Sequence, residues 1–239
     1  NLKTLVKARA LRMEDVPLSP NGALPVQVLR TALEGEKYEA LPEAYRTALE
    51  EIARECALAM DPLLCDALLD RALFREIARR LTSVREKEIH ACFAARADSA
   101  NVRSALRARS LGRDAAFASR LFVPGGLLPP SELAPLVEAP ERAKALVKDM
   151  PYAPFALRGL AIYEKGGSLA AFEKQMDDYE TSLMRAHRYE PVSLLPLVGY
   201  FVAREHDVAT VRLLAAAVSA RFAPERYADF VREPYVLRG

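Results

Sequence analysis

Apolar residues recur along this chain at steps of three and four, the spacing that lines one face of a helix. No stretch alternates in twos with the β-branched residues that strands favour. The pattern predicts an all-α fold. Asp61 followed by Pro62 marks a helix start, because a capping carboxylate accepts from orphan N–H groups and proline costs nothing in the first turn. That helix should run to about Leu81. Ser83-Val84-Arg85-Glu86 has the form of a capping box and predicts a further helix of about 25 residues ending near Gly112. Gly166-Gly167-Ser168 closes one helix and opens another, whose Leu169, Phe172, Met176, Tyr179 and Leu183 share a face that must be buried. From Ser193 to about Arg221, the apolar series Leu194, Leu197, Phe201, Val208, Val211, Ala215 and Val218 continues the pattern. It predicts a long amphipathic helix, with Pro196 tolerated in its first turn and a break possible near His206.

An internal repeat organises these helices. Asn1 to Arg9 matches Asn101 to Arg109 in residue class at every position. Pro20-Asn21-Gly22-Ala23-Leu24-Pro25 returns as Pro124-Gly125-Gly126-Leu127-Leu128-Pro129, the offset growing only from 100 to 104 residues. A weaker third copy aligns Asp207-Val208-Ala209-Thr210-Val211-Arg212 with Asp98-Ser99-Ala100-Asn101-Val102-Arg103, with Thr210 in place of asparagine and Ala216 in place of the second arginine. A period of about 100 residues is too long for short helical solenoids. The expectation is three related helical lobes about a pseudo-axis, at 1–60, 61–150 and 151–239. The second copy has a helical lead-in from Asp61 and the first does not, so the N-terminal part of the first lobe is expected to be missing.

Composition narrows the class of function. With 51% hydrophobic and 28% charged residues the chain can build a core, which excludes a disordered reading. Its net charge of +2 lacks the basic surplus that points to nucleic acid. The longest strongly apolar uncharged run, Leu194 to Ala203, is ten residues and holds Pro196 and Gly199, against the roughly 20 that a spanning helix needs. Cys56, Cys65 and Cys92 show no CxxC spacing; they read as core residues in a reducing, cytoplasmic setting.

Candidate chemistry is sparse. His90, His187 and His206 form no HxxxH or HExxH, and the carboxylate pairs Asp66/Asp70 and Asp177/Asp178 have no converging ligands. The glycine pairs at 125–126 and 166–167 lack a phosphate-loop pattern and read as helix ends. No catalytic residue, metal ligand or cofactor is therefore predicted, and an enzyme ranks below a binding or structural protein. Tyr152, Phe155, Tyr163, Phe172 and Tyr179 read as an aromatic packing cluster. Lys3 with Lys7, and Arg103 with Arg107, stand at i and i+4 and so share a helix face. Each face either grips an acidic partner or is a solvated flank. Asn101 is costly within a helix and needs compensation; with Asp98, and Arg103 more distantly, it reads as a polar contact that fixes lobe packing.

The stretch from Asp61 to Leu128 resembles the C-subunit family of V-type (archaeal and bacterial vacuolar-like) ATP synthases, related to the d subunit of the eukaryotic V-ATPase. The resemblance is carried by Leu68-Leu69-Asp70, by Asp98-Ser99-Ala100-Asn101-Val102-Arg103-Ser104-Ala105-Leu106-Arg107 and by Gly125-Gly126. The tail is similar too, from Val198-Gly199-Tyr200-Phe201 through Val211-Arg212 to Val231-Arg232-Glu233-Pro234-Tyr235-Val236. Asp207, where the family tends to glutamate, and Ala216, at a usually polar position, depart from the pattern. The resemblance implies a non-catalytic socket: three helical lobes forming a funnel on the cytoplasmic face of the membrane. Its base would rest on the membrane rotor ring and its cavity would take the central-shaft subunits, coupling them for hydrogen-ion or other ion transport without binding nucleotide or nucleic acid. Lys3, Lys7, Asp98, Asn101, Arg103, Arg107, Asp207 and Arg212 are the candidate interface or lobe-packing residues. The rival reading is an α-helical adaptor or scaffold unrelated to rotary ATPases.

Overall fold

In the computed structural model, residues 1–56, 60–166 and 168–236 are described, and among them every regular element is helical. The eleven α-helices are α1 (Leu2–Leu11), α2 (Val26–Gly35), α3 (Glu43–Glu55), α4 (Pro62–Leu81), α5 (Lys87–Ser110), α6 (Ala115–Leu121), α7 (Pro130–Leu133), α8 (Arg142–Val147), α9 (Ala153–Gly166), α10 (Leu169–Ala186) and α11 (Leu195–Ser219). Short 3-10 turns cover Ala134–Val137, Pro224–Arg226 and Ala228–Phe230. None of the helices in the described residues is long and apolar enough to cross a membrane.

The chain divides into two compact units. The first comprises Asn1–Arg80 with Arg120–Pro124. Asp61 starts α4 as expected, its Oδ1 accepting from the N–H groups of Leu63 and Leu64 at 3.0 and 3.2 Å. One face of α4, through Leu64, Cys65, Leu68, Leu69 and Ala72, joins Leu5 and Val6 of α1, Leu29 and Leu33 of α2, and Leu49 and Ile52 of α3 in one core. Although the repeat cast α4 as the lead-in to the second copy, its apolar face closes the first unit. Arg71 of α4 donates to the carbonyls of Phe122 and Arg120, and Arg120 pairs with Glu55 at 2.7 Å, which ties residues 120–124 into this unit.

The second unit comprises Leu81–Ser119 with Gly125–Gly239. Its centre is α5, whose Cys92, Ala95, Ala97, Val102, Ala105 and Leu106 are buried on more than one side. Helix α10 packs along α5, with α9 and α11 packed on α10. Gly159 permits the α9 contact: a Cβ there would stand 2.6 Å from Cα of Phe172. Tyr179 meets Tyr152 and Phe155 edge-on at 5.9 and 5.8 Å, and Phe172 is fully buried, while Tyr163 is only half-buried.

Two local expectations change. Helix α5 begins at Lys87 with Glu86 at its cap position, and that cap makes no side-chain bond to its own helix. The Glu86 carboxylate instead accepts from the N–H of Leu194 at 3.0 Å and the hydroxyl of Ser193 at 3.5 Å. A capping-box carboxylate has been diverted to the start of another helix, where orphan donors also wait. Helix α11 is unbroken at His206, which is buried. The turn at Gly166 and Ser168 separates α9 from α10 as expected; Gly167 lies outside the described residues.

Candidate functional site

Most of the basic residues singled out in the sequence are matched by carboxylates of their own unit. Lys3 and Lys7 on α1 reach Asp70 and Asp66 on α4 at 2.6 and 2.7 Å. Their order reverses between the helices, as antiparallel packing requires. Arg103 on α5 reaches Glu173 on α10 at 2.7 Å. Arg107 is exposed. In α1 the four-residue spacing lets both lysines pair with α4, whereas in α5 only Arg103 of its pair meets a carboxylate of α10.

Asp98 and Asn101 face inward, at 1% and 2% exposure. Asp98 accepts from the N–H groups of Leu127 and Leu128 at 2.9 and 3.0 Å and from the Tyr152 hydroxyl at 2.8 Å. Burial raises its carboxyl pKa, and the bonds from Leu128, Leu127 and Tyr152 oppose the rise. The arrangement fastens the turn at Gly125-Gly126 to α5. Gly125 has φ +96°, which favours glycine, and a Cβ on Gly126 would fall 2.1 Å from Asp98 Oδ1. In the first copy Asn1 holds the matching strap reciprocally: its Nδ2 donates to the Ser19 carbonyl at 2.7 Å and its Oδ1 accepts from the Ser19 N–H at 2.9 Å. In the third copy Thr210 accepts from the N–H of Arg232 at 3.4 Å. Asp207, the counterpart of Asp98, is exposed and pairs with Arg204 at 3.3 Å.

A second cluster escaped the sequence reading. Glu180 of α10, 3% exposed at its side chain, receives Arg96 of α5 at 2.5 Å, and Arg96 also reaches Glu205 of α11 at 2.9 Å. His206 of α11 shares a 2.8 Å hydrogen bond between its Nδ1 and Thr181 Oγ1. Its Nε2 lies 3.5 Å from Glu180 and 3.8 Å from Asp177. Burial alone would raise the pKa of Glu180, but His206 and Arg96 outweigh it and hold the carboxyl below its ordinary range. Burial would likewise lower Arg96, yet Glu180 and Glu205 raise it overall. The adjacent carboxylates of Asp177 and Asp178 bind the C-terminal segment, through Arg232 at 2.9 Å and the N–H of Glu233 at 2.8 Å. The available signal was Glu180 and Thr181 standing beside Tyr179 and Met184 on an otherwise apolar face.

Helix α11 buries the opposite side from the one its apolar pattern marks. Leu195, Gly199, Val202, Ala203 and His206 face inward, while Leu197, Phe201, Val208, Val211 and Val218 are 44 to 67% exposed. Gly199 allows Tyr235 to lie against the helix; a Cβ would meet its hydroxyl at 2.6 Å. Arg212 is exposed beside the apolar series.

These clusters can fix helices and straps, and their paired charges neutralise one another. In the first unit a groove of about 680 Å³, lined by residues that include Leu2, Leu24, Tyr45, Leu73 and Ile77, has Lys3–Asp70 along its wall. Burial raises the Cys65 thiol to about 12 and also pushes up Cys92, which suits core thiols and not nucleophiles. Among the described residues, no three His, Cys, Asp or Glu side chains gather as a metal site.

Comparison with known proteins places this architecture. Residues 1–230 match the family described as ATP synthase (C/AC39) subunit. The C subunit of the A-type ATP synthase of Haloferax volcanii is 28% identical over 206 residues, which is 84% of this chain and 55% of that protein. Its counterpart in Pyrococcus furiosus is 25% identical over 139 residues, 57% of this chain and 37% of that protein. That of Halorubrum lacusprofundi is 25% identical over 234 residues, 92% and 66% respectively. The chain thus spans about half the length of the first of these relatives.

Proposed function

Because the chain belongs to the ATP synthase (C/AC39) subunit family, we propose that it is a non-catalytic coupling element of a rotary ATP synthase, standing between the central-shaft subunits and the membrane rotor ring. The family match across residues 1–230 carries this reading. It also displaces the alternative of a scaffold unrelated to rotary ATPases. The physics of the two units supports a mechanical role. Torque has to pass through a body without being absorbed as internal deformation, and close-packed helices have low compressibility. Cross-linking of helices by Lys3–Asp70, Arg103–Glu173 and Arg96–Glu180 resists sliding of one helix along its neighbour. In this reading three related helical lobes, the first including α4, build a funnel peripheral to the cytoplasmic face of the membrane, and the protein binds neither nucleotide nor nucleic acid.

The test is purification of the tagged chain from its native source under mild detergent. Stoichiometric recovery of shaft and ring subunits is expected, with ATP-driven ion transport lost and ATP hydrolysis retained when the protein is depleted. Recovery without any other ATP synthase component would refute the proposal.

A further inference from the structure

The internal repeat makes it possible to ask what each helix face is built to meet. Lys3, Arg103 and Arg212 occupy the same repeat position. In the first unit Lys3 and Lys7 pair with Asp70 and Asp66 of the antiparallel α4. In the second, Arg96 and Arg103 pair with Glu180 and Glu173 of the antiparallel α10. Aligning Asp207 with Asp98 sets Phe201, Val208, Val211 and Ala215 of α11 opposite Cys92, Ser99, Val102 and Leu106 of α5. All four α5 residues are buried, and all four α11 residues are exposed. Arg212 is exposed among them, with no ionic partner among the described residues.

We infer that this face of α11 seats an antiparallel partner helix of the α4 and α10 kind, carrying a carboxylate opposite Arg212. Spacing argues for a single helix. Leu197, Phe201, Arg204, Val208, Val211, Ala215 and Val218 follow one another at alternating steps of four and three, the seam spacing of paired helices. Charge argues for an acidic occupant. A second α11, antiparallel and centred on Val208, would set Arg204 against Arg212, whereas a helix like α10 brings the acid that Lys3 and Arg103 already have. The inference rests on the repeat and the exposed face and does not depend on the rotor reading.

A fluorescently labelled synthetic peptide of α10, Leu169–Ala186, with Glu180→Lys because Glu205 stands at the repeat position of Arg96, is the probe, titrated by anisotropy into the full 239-residue chain. Saturable binding is expected. Arg212→Glu in the chain, or Glu173→Lys in the peptide, should each weaken it by about tenfold, and combining the two should restore most of the loss. Binding that ignores Arg212→Glu would mean that the peptide invades the α5 site, and the inference fails. It fails equally if the peptide does not bind. Sedimentation of the chain alone completes the test: a dimer abolished by Val208→Asp assigns the face to a second copy and overturns the acidic-helix occupant. Circular dichroism of each variant should match the parent, since Val208 and Arg212 are exposed.

Discussion

Arg103 on α5 and Glu173 on α10 meet at 2.7 Å, seven residues along each antiparallel helix from Arg96 and Glu180, which meet at 2.5 Å. The two rungs share a geometry and differ in surroundings. Glu173 is 40% exposed at its side chain and Glu180 is 3%. Their energetic weights should differ accordingly, because water screens the outer pair and an unpaired charge at the inner site has nowhere to be solvated.

Removing the inner carboxylate is therefore expected to be the more damaging change. Glu180→Ala leaves Arg96 with Glu205 alone and His206 with Asp177 as its nearest carboxylate, and should cost about 3 kcal/mol. Urea unfolding followed by circular dichroism measures it. A loss below about 1 kcal/mol would show that solvent or neighbouring acids take over the role.

At the outer rung, Arg103→Glu should cost no more than about 1 kcal/mol. The double variant Arg103→Glu with Glu173→Arg should recover part of that. Arg107→Glu, on an exposed residue, should leave the urea midpoint unchanged. A thermodynamic cycle showing no coupling between Arg103 and Glu173 would remove this pair from the zipper.

The turn clamp gives a steric prediction. Gly126→Ala forces a Cβ against the Asp98 carboxylate, which already holds two backbone N–H groups and Tyr152. An overpacking cost of about 1–3 kcal/mol is expected. Asp98→Ala strands two buried donors, the Leu128 N–H and the Tyr152 hydroxyl, and a part-buried one at Leu127, and about 2–4 kcal/mol should be lost. Equal stability of Gly126→Ala and parent, by thermal or urea melts, would mean that the strap is not held against α5.

The acid response of the second unit follows from Glu180. Its folded pKa is depressed below the unfolded value, so its contribution is present above the ordinary carboxylate pKa and is lost as pH falls through the folded value. Asp98 and Asp177, both raised by burial, act in the opposite sense, favouring the fold as they protonate. Urea stability measured between about pH 7 and about pH 3 should decline on the acid side in the parent, and Glu180→Gln should flatten that decline. A Glu180→Gln curve parallel to the parent's would place the acid sensitivity elsewhere.

The linear chain determined the helices and the repeat. Asp61-Pro62 set the start of α4, since a cap and a proline act within one turn, and the matched Asn1 and Asn101 segments disclosed related straps, held by Asn1 at Ser19 and by Asp98 at Leu127 and Leu128. Local rules suffice where the partner is a near neighbour. Tertiary structure alone decided which side of α11 turned inward: Gly199, Ala203 and His206 win over Phe201, Val208 and Val211 because small residues admit Tyr235 and α10 closely and His206 finds Thr181 and Glu180. Hydrophobicity ranks faces by transfer from water, but it does not say which neighbour is present to receive them. The same holds for Arg96, Glu180, His206 and Arg232, spread over more than a hundred positions, whose charges have meaning only at the distances that packing imposes.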